Sequence, residues 1–370
     1  MNAESAIRVC FVSPKSYPLL RPETPGVFGG AEVDLFLLGT ELAKDPRFAV
    51  SFVVADYGQS AEETAEPIRL IRSVNFQAGG LAGAMRVWKA LQAADAAVYM
   101  IKTASPGVPL TAAFCRRHRR AFVYRTASAR ESDGRYRQEH PILGRAFTWS
   151  LRQAAAVLSQ NQTDRDNLLR ISGIDSVVIP NGHPMPPRTN VAREFVLWAG
   201  RSEPVKGPWR FLDLVRALPQ ERFVMLCPKA TGDNDYDRLR ETARAIANLQ
   251  WHDAIPFGQT DDFFRRAKAL VNTSDTEGFA NAFIQACAHG TPIVSLSVNP
   301  DLFLTRHSCG IDCGGSPQRL VEGLRFVLEG NRYIELGKNA RAYAEGHHDI
   351  ARIVERYKDL FTRLAANRSR

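Results

Sequence analysis

The sequence lacks several features by which common classes of protein are recognised. No apolar run approaches the roughly 20 residues of a membrane-spanning helix, and the first residues, MNAESAIRVCFVSP, lack the basic and apolar regions of a secretion signal. The chain has no Gly-x-Ser-x-Gly motif of a serine hydrolase and no P-loop. The Gly-x-Gly-x-x-Gly spacing of dinucleotide-binding proteins is absent after the first predicted strand. We therefore expect a cytoplasmic protein outside these classes.

Patterns for disulfides and metal ions are also missing. The six cysteines are scattered, and no further cysteine or histidine pair completes a zinc site with Cys309 and Cys313. We expect buried free thiols in a reducing compartment. The segment 233–235, Asp-Asn-Asp, resembles a metal-binding motif in shape, but it precedes a predicted helix and is better explained as a cap. The sequence therefore predicts no metal and no resident cofactor.

Acidic residues are outnumbered by basic ones. The formal net charge is +9, and basic residues cluster at 116–120 and again between 125 and 152. Aromatic residues are not interleaved with them as in nucleic-acid-binding motifs. The charge favours an anionic acceptor, or peripheral membrane contact at the inner face through the basic N-terminal half, over nucleic acid. An ordinary solvated face remains the commonest explanation of such runs.

Apolar segments of strand length alternate with segments of helical period along the chain. This alternation predicts parallel sheets covered by helices on both faces, and 370 residues are enough for two such domains. A proline-rich, aperiodic segment begins at His183 and is typical of a linker. We predict an α/β protein with a first domain at 1–183, a linker at 184–193, a second domain at 194–348 and a C-terminal helix at 349–370.

The stretch 272–297 has the organisation of a binding site. A polar loop follows an apolar strand, and a helix with one buried face is predicted over Gly278–Ala288. The backbone N–H groups of Phe279, Ala280 and Asn281 then lie in its first turn, without partners inside the helix and at its positive end. Such a helix entrance suits a phosphate or another polar ligand.

Two polar side chains are placed to hold the ends of an extended ligand. Glu277 stands at the mouth of the predicted helix, and Gln285 lies eight residues further on. At 1.5 Å per residue the two positions are about 12 Å apart along the axis. The alternative is that Glu277 is only a favourable acid in a first helical turn and that Gln285 is a surface residue.

A second candidate site follows the first strand of the second domain. The loop Gly200–Gly207 carries Arg201 and Lys206 and leads directly into a predicted helix. A guanidinium group grips two oxygens of a diphosphate, and an ammonium group adds a mobile point charge. The alternative is a surface loop with two solvated cations.

Two features of the first domain complete the set of candidates. Gly29 and Gly30 form a turn that opens a helix, where glycine lets backbone amides approach an anion closely. Arg125 follows a predicted strand and is placed to bind an acceptor, although a solvated or ion-paired arginine fits the sequence nearly as well.

The segment EGFANAFIQACAHGTPIV resembles the Glu-x7-Glu region of retaining glycosyltransferases of the GT-B fold, family 4 in particular. Gly200-Arg201 and Lys206-Gly207 resemble the same family's diphosphate element. The resemblance implies two Rossmann-like, doubly wound domains that face a cleft, with the C-terminal helix crossing back to the first domain. The sequence departs from the family at Gln285, where the second acid is an amide.

The resemblance also implies roles for the candidate residues. Arg201 and Lys206 would stabilise a leaving diphosphate, Glu277 would orient the donor hexose, and Gln285 would bind the ribose. Gly30 would reach the donor phosphate, and its neighbour Gly29 the acceptor.

The implied reaction is metal-independent transfer from a nucleoside-diphosphate sugar to a glycan or lipid-linked acceptor, with retention, in glycan or surface polysaccharide biosynthesis. A catalytically idle scaffold of the same fold and a sugar-nucleotide 2-epimerase remain alternatives.

Overall fold

A computed structural model of the chain describes residues 6–77, 80–189 and 191–367. The chain divides into two compact units, Met1–Gly182 with Ile350–Arg370, and His183–Asp349. The predicted domain, linker and C-terminal ranges also include some residues that are not described. These are 1–5, 78–79, 190 and 368–370. The predicted linker falls within the second unit, and the last helix falls within the first.

Strands and helices alternate along the described chain, as predicted. The strands of the first unit are β1 (Ile7–Val12), β2 (Phe48–Val54), β3 (Glu62–Ala65), β4 (Ile68–Arg72), β5 (Val98–Lys102), β6 (Ala121–Arg125), β7 (Ala156–Ser159) and β8 (Val177–Val178). Those of the second unit are β9 (Phe195–Ala199), β10 (Phe223–Leu226), β11 (Leu249–His252), β12 (Ala267–Asn272), β13 (Ile293–Ser295) and β14 (Gly310–Asp312).

The helices vary from single turns to long amphipathic segments. They are α1 (Tyr17–Leu20), α2 (Gly30–Leu42), α3 (Gly80–Ala94), α4 (Gly107–Arg117), α5 (Ala129–Ser132), α6 (Arg135–Glu139), α7 (Pro141–Gln153), α8 (Gln162–Ser172), α9 (Pro208–Ala217), α10 (Tyr236–Arg244), α11 (Thr260–Arg266), α12 (Asn281–Ala288), α13 (Phe303–Arg306), α14 (Pro317–Leu328), α15 (Tyr333–His347) and α16 (Ile350–Ala366).

The first unit is built on one eight-stranded sheet in the order β3-β4-β2-β1-β5-β6-β7-β8. The pairs are parallel except for β3 with β4, which is antiparallel. Because side chains alternate along a strand, Val9 and Phe11 pack towards α2 and α16, whereas Cys10 and Val12 pack towards α3, α4 and α7. Both faces are therefore covered.

The last helix, α16, is held to the first unit by its apolar face. Tyr357 and Phe361 are 1% and 0% exposed and belong to the same cluster as Phe11 of β1. Burying a large apolar side chain fully is worth roughly 1.5–3 kcal/mol, so these contacts are enough to fix the helix.

The second unit has a six-stranded parallel sheet in the order β11-β10-β9-β12-β13-β14. Numbered within the unit, this is the order 3-2-1-4-5-6 of a doubly wound sheet. α9, α10 and α14 cover one face, and α11, α12 and α15 cover the other. The predicted Rossmann-like architecture is therefore found in both units.

The end of the predicted linker is fixed to the second unit by Arg193. Its guanidinium group donates to the carbonyl oxygens of Ala267, His289 and Gly290, at 2.5, 2.9 and 2.8 Å. Two of these carbonyls follow the C-terminus of α12, where a cation is favourable.

Two further expectations concern cysteine and membrane spans. All six cysteines are free and buried, as predicted. Among the described residues, no helix has the length and apolar character needed to cross a bilayer.

A buried cluster of charges joins α2, β5 and β6. The carboxylate of Asp34 accepts hydrogen bonds from Lys102 at 2.8 Å and from Arg125 at 3.1 Å. Burial lowers the pKa of Lys102 to about 8, although the carboxylate of Asp34 opposes the shift. Arg125 also donates to the side chain of Asn181 and to the hydroxyl of Tyr357, both at 2.5 Å.

This cluster corrects the role predicted for Arg125. The side chain is 0% exposed, and its donors already serve Asp34, Asn181, Tyr357 and the carbonyl oxygen of Ile179. It is not open to an acceptor. We assign Arg125 a structural role, in which it ties the end of β6 to α2 and α16.

Replacing Arg125 with alanine is expected to destabilise the protein. The change removes the hydrogen bonds that Arg125 donates to four buried polar groups, so the free energy of unfolding should fall by about 3–5 kcal/mol. Urea denaturation followed by circular dichroism measures it. The control is Arg116→Ala, an exposed arginine whose loss should change stability by less than about 0.5 kcal/mol. Equal stabilities for the two variants would contradict the structural role.

Candidate functional site

The second sheet reverses its winding between β9 and β12. Connections from β9 lead towards β10 and β11, whereas those from β12 lead towards β13 and β14. Ligands of such sheets bind at this reversal, beside the carboxyl ends of the two central strands. The loops that leave those ends are 200–207 and 273–280, so the topology alone brings together the two loops that the sequence singled out.

Gly207 and Thr273 hold the two loops in contact. Gly207 has a φ of +63°, and a Cβ at this position would lie 2.4 Å from the carbonyl oxygen of Thr273. The hydroxyl of Thr273 donates to the carbonyl oxygen of Lys206 at 2.8 Å and accepts from the indole N–H of Trp198 at 2.9 Å. Both the backbone angle and the close approach require glycine at 207.

The predicted cation and acid meet across this contact. The Nζ of Lys206 lies 2.5 Å from Oε1 of Glu277, and the hydroxyl of Ser274 donates to the same oxygen at 2.9 Å. The two charged side chains remain 23% and 13% exposed. Lys206 is therefore reachable from solvent and held beside the carboxylate.

Arg201 lies in the same loop but pairs with a different acid. Its guanidinium group is 2.9 Å from Glu203 and is 30% exposed. Both predicted diphosphate-binding cations therefore have carboxylate partners in the structure. An incoming anion would compete with Glu203 and Glu277 for them.

The helix α12 begins later than the sequence predicted. It spans Asn281–Ala288, and Ala280 is its N-cap, so Gly278 and Phe279 belong to the preceding loop. The reason is the burial of Phe279, whose ring is 5.1 Å from Phe303 and 4.7 Å from His348 between ring centroids. The amides of Phe279 and Ala280 therefore belong to the loop and not to the first helical turn.

Gln285 is nearly buried and faces α11. It is 7% exposed, and its Nε2 donates to the hydroxyl of Thr260 at 3.3 Å. Its neighbour Asp261 lies 3.4 Å from Nε2 of His289. Burial opposes the ionisation of Asp261, but the nearby side chains of His289 and Gln285 help to lower its pKa. A glutamate at 285 would place a second carboxylate beside this one, which gives a physical reason for the amide.

Sequence reasoning missed Thr273, Ser274 and Asp261. The first two lie in the polar run that follows β12, and that run was the available signal. Nothing in the sequence pattern indicates that Asp261, 24 residues before Gln285, would be its neighbour.

The acidic segment 233–235 makes no metal site with its neighbours. Within the described ranges, no group of three or more histidine, cysteine or acidic residues is arranged to hold a metal ion. Asp235 occupies the cap position of α10, but its carboxylate accepts from the indole of Trp209 at 3.1 Å and pairs with Arg238. The carboxylate of Asp233 accepts from the backbone N–H of Asp235. The segment therefore stabilises the start of α10 through these side-chain contacts, and not through the predicted side-chain cap.

Comparison with known families identifies the second unit. Residues 186–346 match the family model described as glycosyl transferases group 1. This part of the chain is a glycosyl transferases group 1 domain. The family resemblance predicted from the two motifs is confirmed, and it supports glycosyl transfer as the activity. No curated protein matches the sequence of the chain.

Solved glycosyltransferases share the fold of the whole chain. Sucrose-phosphate synthase from Thermosynechococcus elongatus is 16% identical, with a TM-score of 0.80 over 97% of this chain and 99% of that one. WaaG, a glycosyltransferase involved in lipopolysaccharide biosynthesis, is 15% identical, with a TM-score of 0.68 over 96% and 99%. The pneumococcal O-GlcNAc transferase GtfA, solved with UDP and GlcNAc, is 12% identical, with a TM-score of 0.61 over 76% and 60%. These similarities confirm the GT-B fold.

The two glycines of the predicted turn lie in the first unit, at the start of α2. Gly29 is the N-cap of α2, and its backbone N–H donates to the carboxylate of Glu32 at 2.8 Å. Gly30 is the first residue of the helix. The amide of Gly29 is therefore already used by a side chain of its own helix.

Three side chains at the carboxyl ends of β5, β6 and β7 have unsatisfied polar atoms. Oγ1 of Thr103, Oγ1 of Thr126 and Nε2 of Gln160 are buried and have no hydrogen-bond partner among the described residues. Thr103 also has a φ of +77°, which is unusual for a β-branched residue. Buried polar groups are normally paired. Thr126 and Gln160 are 0% and 2% exposed, so Thr103, which is partly exposed, is the candidate among the three for contact with a ligand.

Placing alanine at Gly207 is expected to damage the glycosyltransferase domain more than the same change at Gly232. Both glycines have positive φ, but a Cβ at Gly232 meets nothing within 4 Å. Gly232→Ala should cost about 1–2 kcal/mol of unfolding free energy, from backbone strain alone. Gly207→Ala should cost about 1–3 kcal/mol more because of the clash with Thr273. Thermal denaturation compares them, and equal melting temperatures would contradict the proposed close contact.

Proposed function

We propose that the chain transfers a sugar from a nucleoside-diphosphate sugar to an acceptor hydroxyl, with retention at the anomeric carbon. The observation that carries the proposal is the Lys206–Glu277 pair, held at 2.5 Å at the reversal of the second sheet. Arg201 lies five residues before Lys206 in the same loop. The similarity to GtfA, whose structure contains UDP and GlcNAc, supports a nucleotide-sugar donor.

In this proposal Lys206 and Arg201 stabilise the leaving group. Negative charge grows on the diphosphate as its bond to the sugar breaks, and fixed cations lower the energy of that state more than that of the bound substrate. The diphosphate displaces Glu277 as the partner of Lys206 and Glu203 as the partner of Arg201. Neither step requires a metal ion, since the two side chains supply the positive charge.

Glu277 then binds the sugar of the donor. Once Lys206 turns towards the diphosphate, the carboxylate retains the hydrogen bond from Ser274, which fixes its orientation. A carboxylate next to the anomeric centre binds sugar hydroxyls and stabilises the positive charge that develops on the ring. No side chain is assigned as the base, because the leaving phosphate can accept the proton of the acceptor hydroxyl.

Gln285 and Asp261 would bind the nucleoside. An amide offers one acceptor and two donors, so Gln285 can hydrogen-bond ribose hydroxyls without charge. Asp261 is ionised and its side chain is 47% exposed, so it supplies the carboxylate that position 285 lacks.

The acceptor is proposed to bind the first unit. Thr103 is partly exposed and has an unsatisfied hydroxyl at the edge where parallel sheets bind ligands, and it replaces Arg125 as the candidate contact. Gly29 and Gly30 begin α2 at the same edge, because α2 follows β1. Hydroxyl and amide groups suit a glycan or the glycan part of a lipid-linked acceptor in surface polysaccharide biosynthesis.

One observation favours a second candidate, an idle scaffold of the same fold. Gln285 uses its amide on Thr260 within the unit, as a residue with a purely structural role would. Turnover of a nucleotide sugar separates the candidates, because a scaffold would neither transfer the sugar nor hydrolyse the donor.

Changing Lys206 to alanine should lower the turnover of the donor by about 10²–10³-fold, because a fixed charge at the leaving group is lost. The rate of release of nucleoside diphosphate measures the effect. Circular dichroism should show an unchanged fold, since Lys206 is a partly exposed side chain.

The matched control is Lys268→Ala. Lys268 is a similarly exposed lysine of the same domain, paired loosely with Glu221 at 3.9 Å, but it lies at the amino end of β12. Its loss should leave turnover within about twofold, because solvent screens a charge at the far edge of the sheet. Equal rates for both variants would remove Lys206 from the proposed mechanism.

A further inference from the structure

The loop that follows β13 contains two consecutive residues in the left-handed region of the backbone. Asp301 has a φ of +52° and Leu302 has a φ of +58°. Aspartate tolerates this region because its short polar side chain can form local hydrogen bonds. The Cβ of a leucine has no such compensation and lies too close to the following carbonyl oxygen. The conformation of Leu302 is therefore strained.

Burial of the side chain does not offset this strain. Leu302 is 51% exposed, whereas the next residue, Phe303, is 2% exposed. Asparagine or glycine would adopt the same backbone conformation at lower cost. Single exposed leucines are ordinary, but strained residues cluster at ligand-binding positions, where the strain is part of the function. A ligand contact would therefore give Leu302 a physical reason that the fold alone does not.

Hydrogen bonds from Asn299 hold the turn in which Leu302 lies. The carbonyl oxygen of Asn299 accepts from the backbone N–H of Leu302 at 3.1 Å, and its side-chain oxygen accepts from the backbone N–H of Leu304 at 3.0 Å. The amide nitrogen of the same side chain donates to the carboxylate of Asp312 at 2.9 Å. The turn is therefore fixed within the second unit, as a strained backbone requires.

The ring of Phe303 joins this turn to the candidate site. Its centroid lies 5.1 Å from that of Phe279 and 5.1 Å from that of Tyr343. Phe279 comes two residues after Glu277 in the loop 273–280. One pair of packed rings therefore connects the backbone of Leu302 with the loop that carries the carboxylate.

The order of the strands places the turn on one side of the candidate site. β12 lies between β9 and β13, so the loops at their carboxyl ends follow one another in the order 200–207, 273–280 and 296–302. The first two loops carry the cations assigned to the diphosphate and the carboxylate assigned to the sugar. The third loop lies beside the second and away from the first, which is the side of the sugar.

We propose that Leu302 is a contact residue for the transferred sugar of the donor, an inference that rests on the proposed function. The C–H groups on one face of a hexose pack against the leucine side chain, while hydroxyls of the sugar bind Glu277. Pockets for small ligands combine apolar walls with a few polar groups in this way. The strained backbone holds an apolar side chain where asparagine or glycine would relax the backbone but offer no apolar surface.

The size of the effect follows from the exposed area of the side chain. About half of Leu302 remains to be covered, so its contact with a sugar corresponds to about a five- to tenfold gain in affinity. The gain applies only to a ligand that carries a sugar. A nucleoside diphosphate leaves the side chain uncovered and should bind equally well without it.

The test is isothermal titration calorimetry of the full chain with UDP-glucose, UDP-N-acetylglucosamine and GDP-mannose, each compared with its nucleoside diphosphate. Leu302→Asn removes the strain and the apolar surface together, and Leu302→Met keeps both. The matched control is Ser308→Asn, at another exposed residue of positive φ, +47°, in the same unit. Ser308 lies two residues before β14, at the amino edge of the sheet and away from the edge that binds ligands.

We expect Leu302→Asn to bind the nucleotide sugar about five- to tenfold less tightly and its nucleoside diphosphate within about twofold of the unchanged protein. Leu302→Met should bind both ligands as the unchanged protein does. The melting temperature of Leu302→Asn should rise by about 2–4 °C because the strain is relieved. Ser308→Asn should also melt at a higher temperature but should lose no affinity. A variant that gains stability and loses affinity for the sugar alone identifies a contact and not a structural role.

The outcomes separate this inference from the proposed function. Equal changes in affinity for the nucleotide sugar and its nucleoside diphosphate would overturn the contact and leave the donor site in place. An unchanged melting temperature for Leu302→Asn would also overturn it, because the strain would then be absent. If the unchanged protein bound none of the nucleotide sugars or diphosphates, the proposed function would be contradicted and this inference with it.

Discussion

The contact between Gly207 and the carbonyl oxygen of Thr273 is the constraint on which the candidate site depends. A glycine in the left-handed region lets two loops from adjacent strands touch at the backbone. The residue before Gly207 is Lys206, and the residue after Thr273 is Ser274, so the contact also sets the positions of their side chains. The pairing of Lys206 with Glu277, and the hydrogen bond from Ser274, follow from it.

The second property of the site is that its charges are already compensated. Lys206 has Glu277, and Arg201 has Glu203, so under the proposed function the donor would exchange one set of anions for another and would not enter a bare cationic pocket. Such an exchange costs less desolvation than burying an unpaired charge. Charge repulsion also explains Gln285, because a glutamate at this position would lie beside the carboxylate of Asp261.

The sequence predicts the elements that depend on local pattern. It does not predict the contacts of a side chain whose partners are distant along the chain. The apolar run Phe195–Ala199 forms β9, and the alternation of strand-length and helical segments correctly predicts two sheets covered by helices. β3, the segment EETA, has no apolar pattern and was not predicted. Arg125 was misassigned because its partners Asp34 and Tyr357 are 91 and 232 residues away. Phe279 was placed inside α12 because periodicity does not show that a ring packs before the helix begins.

The most direct test of the account is thermal denaturation of the pure chain with UDP, GDP, ADP and TDP, each beside its nucleoside and without added metal. The account predicts that one diphosphate raises the melting temperature and that its nucleoside has much less effect. A ligand at 100 times its dissociation constant adds about 2.7 kcal/mol to the stability of the folded state. If none of the four diphosphates shifts the transition, the assignment of Arg201, Lys206 and Glu277 to a nucleotide-sugar site is contradicted.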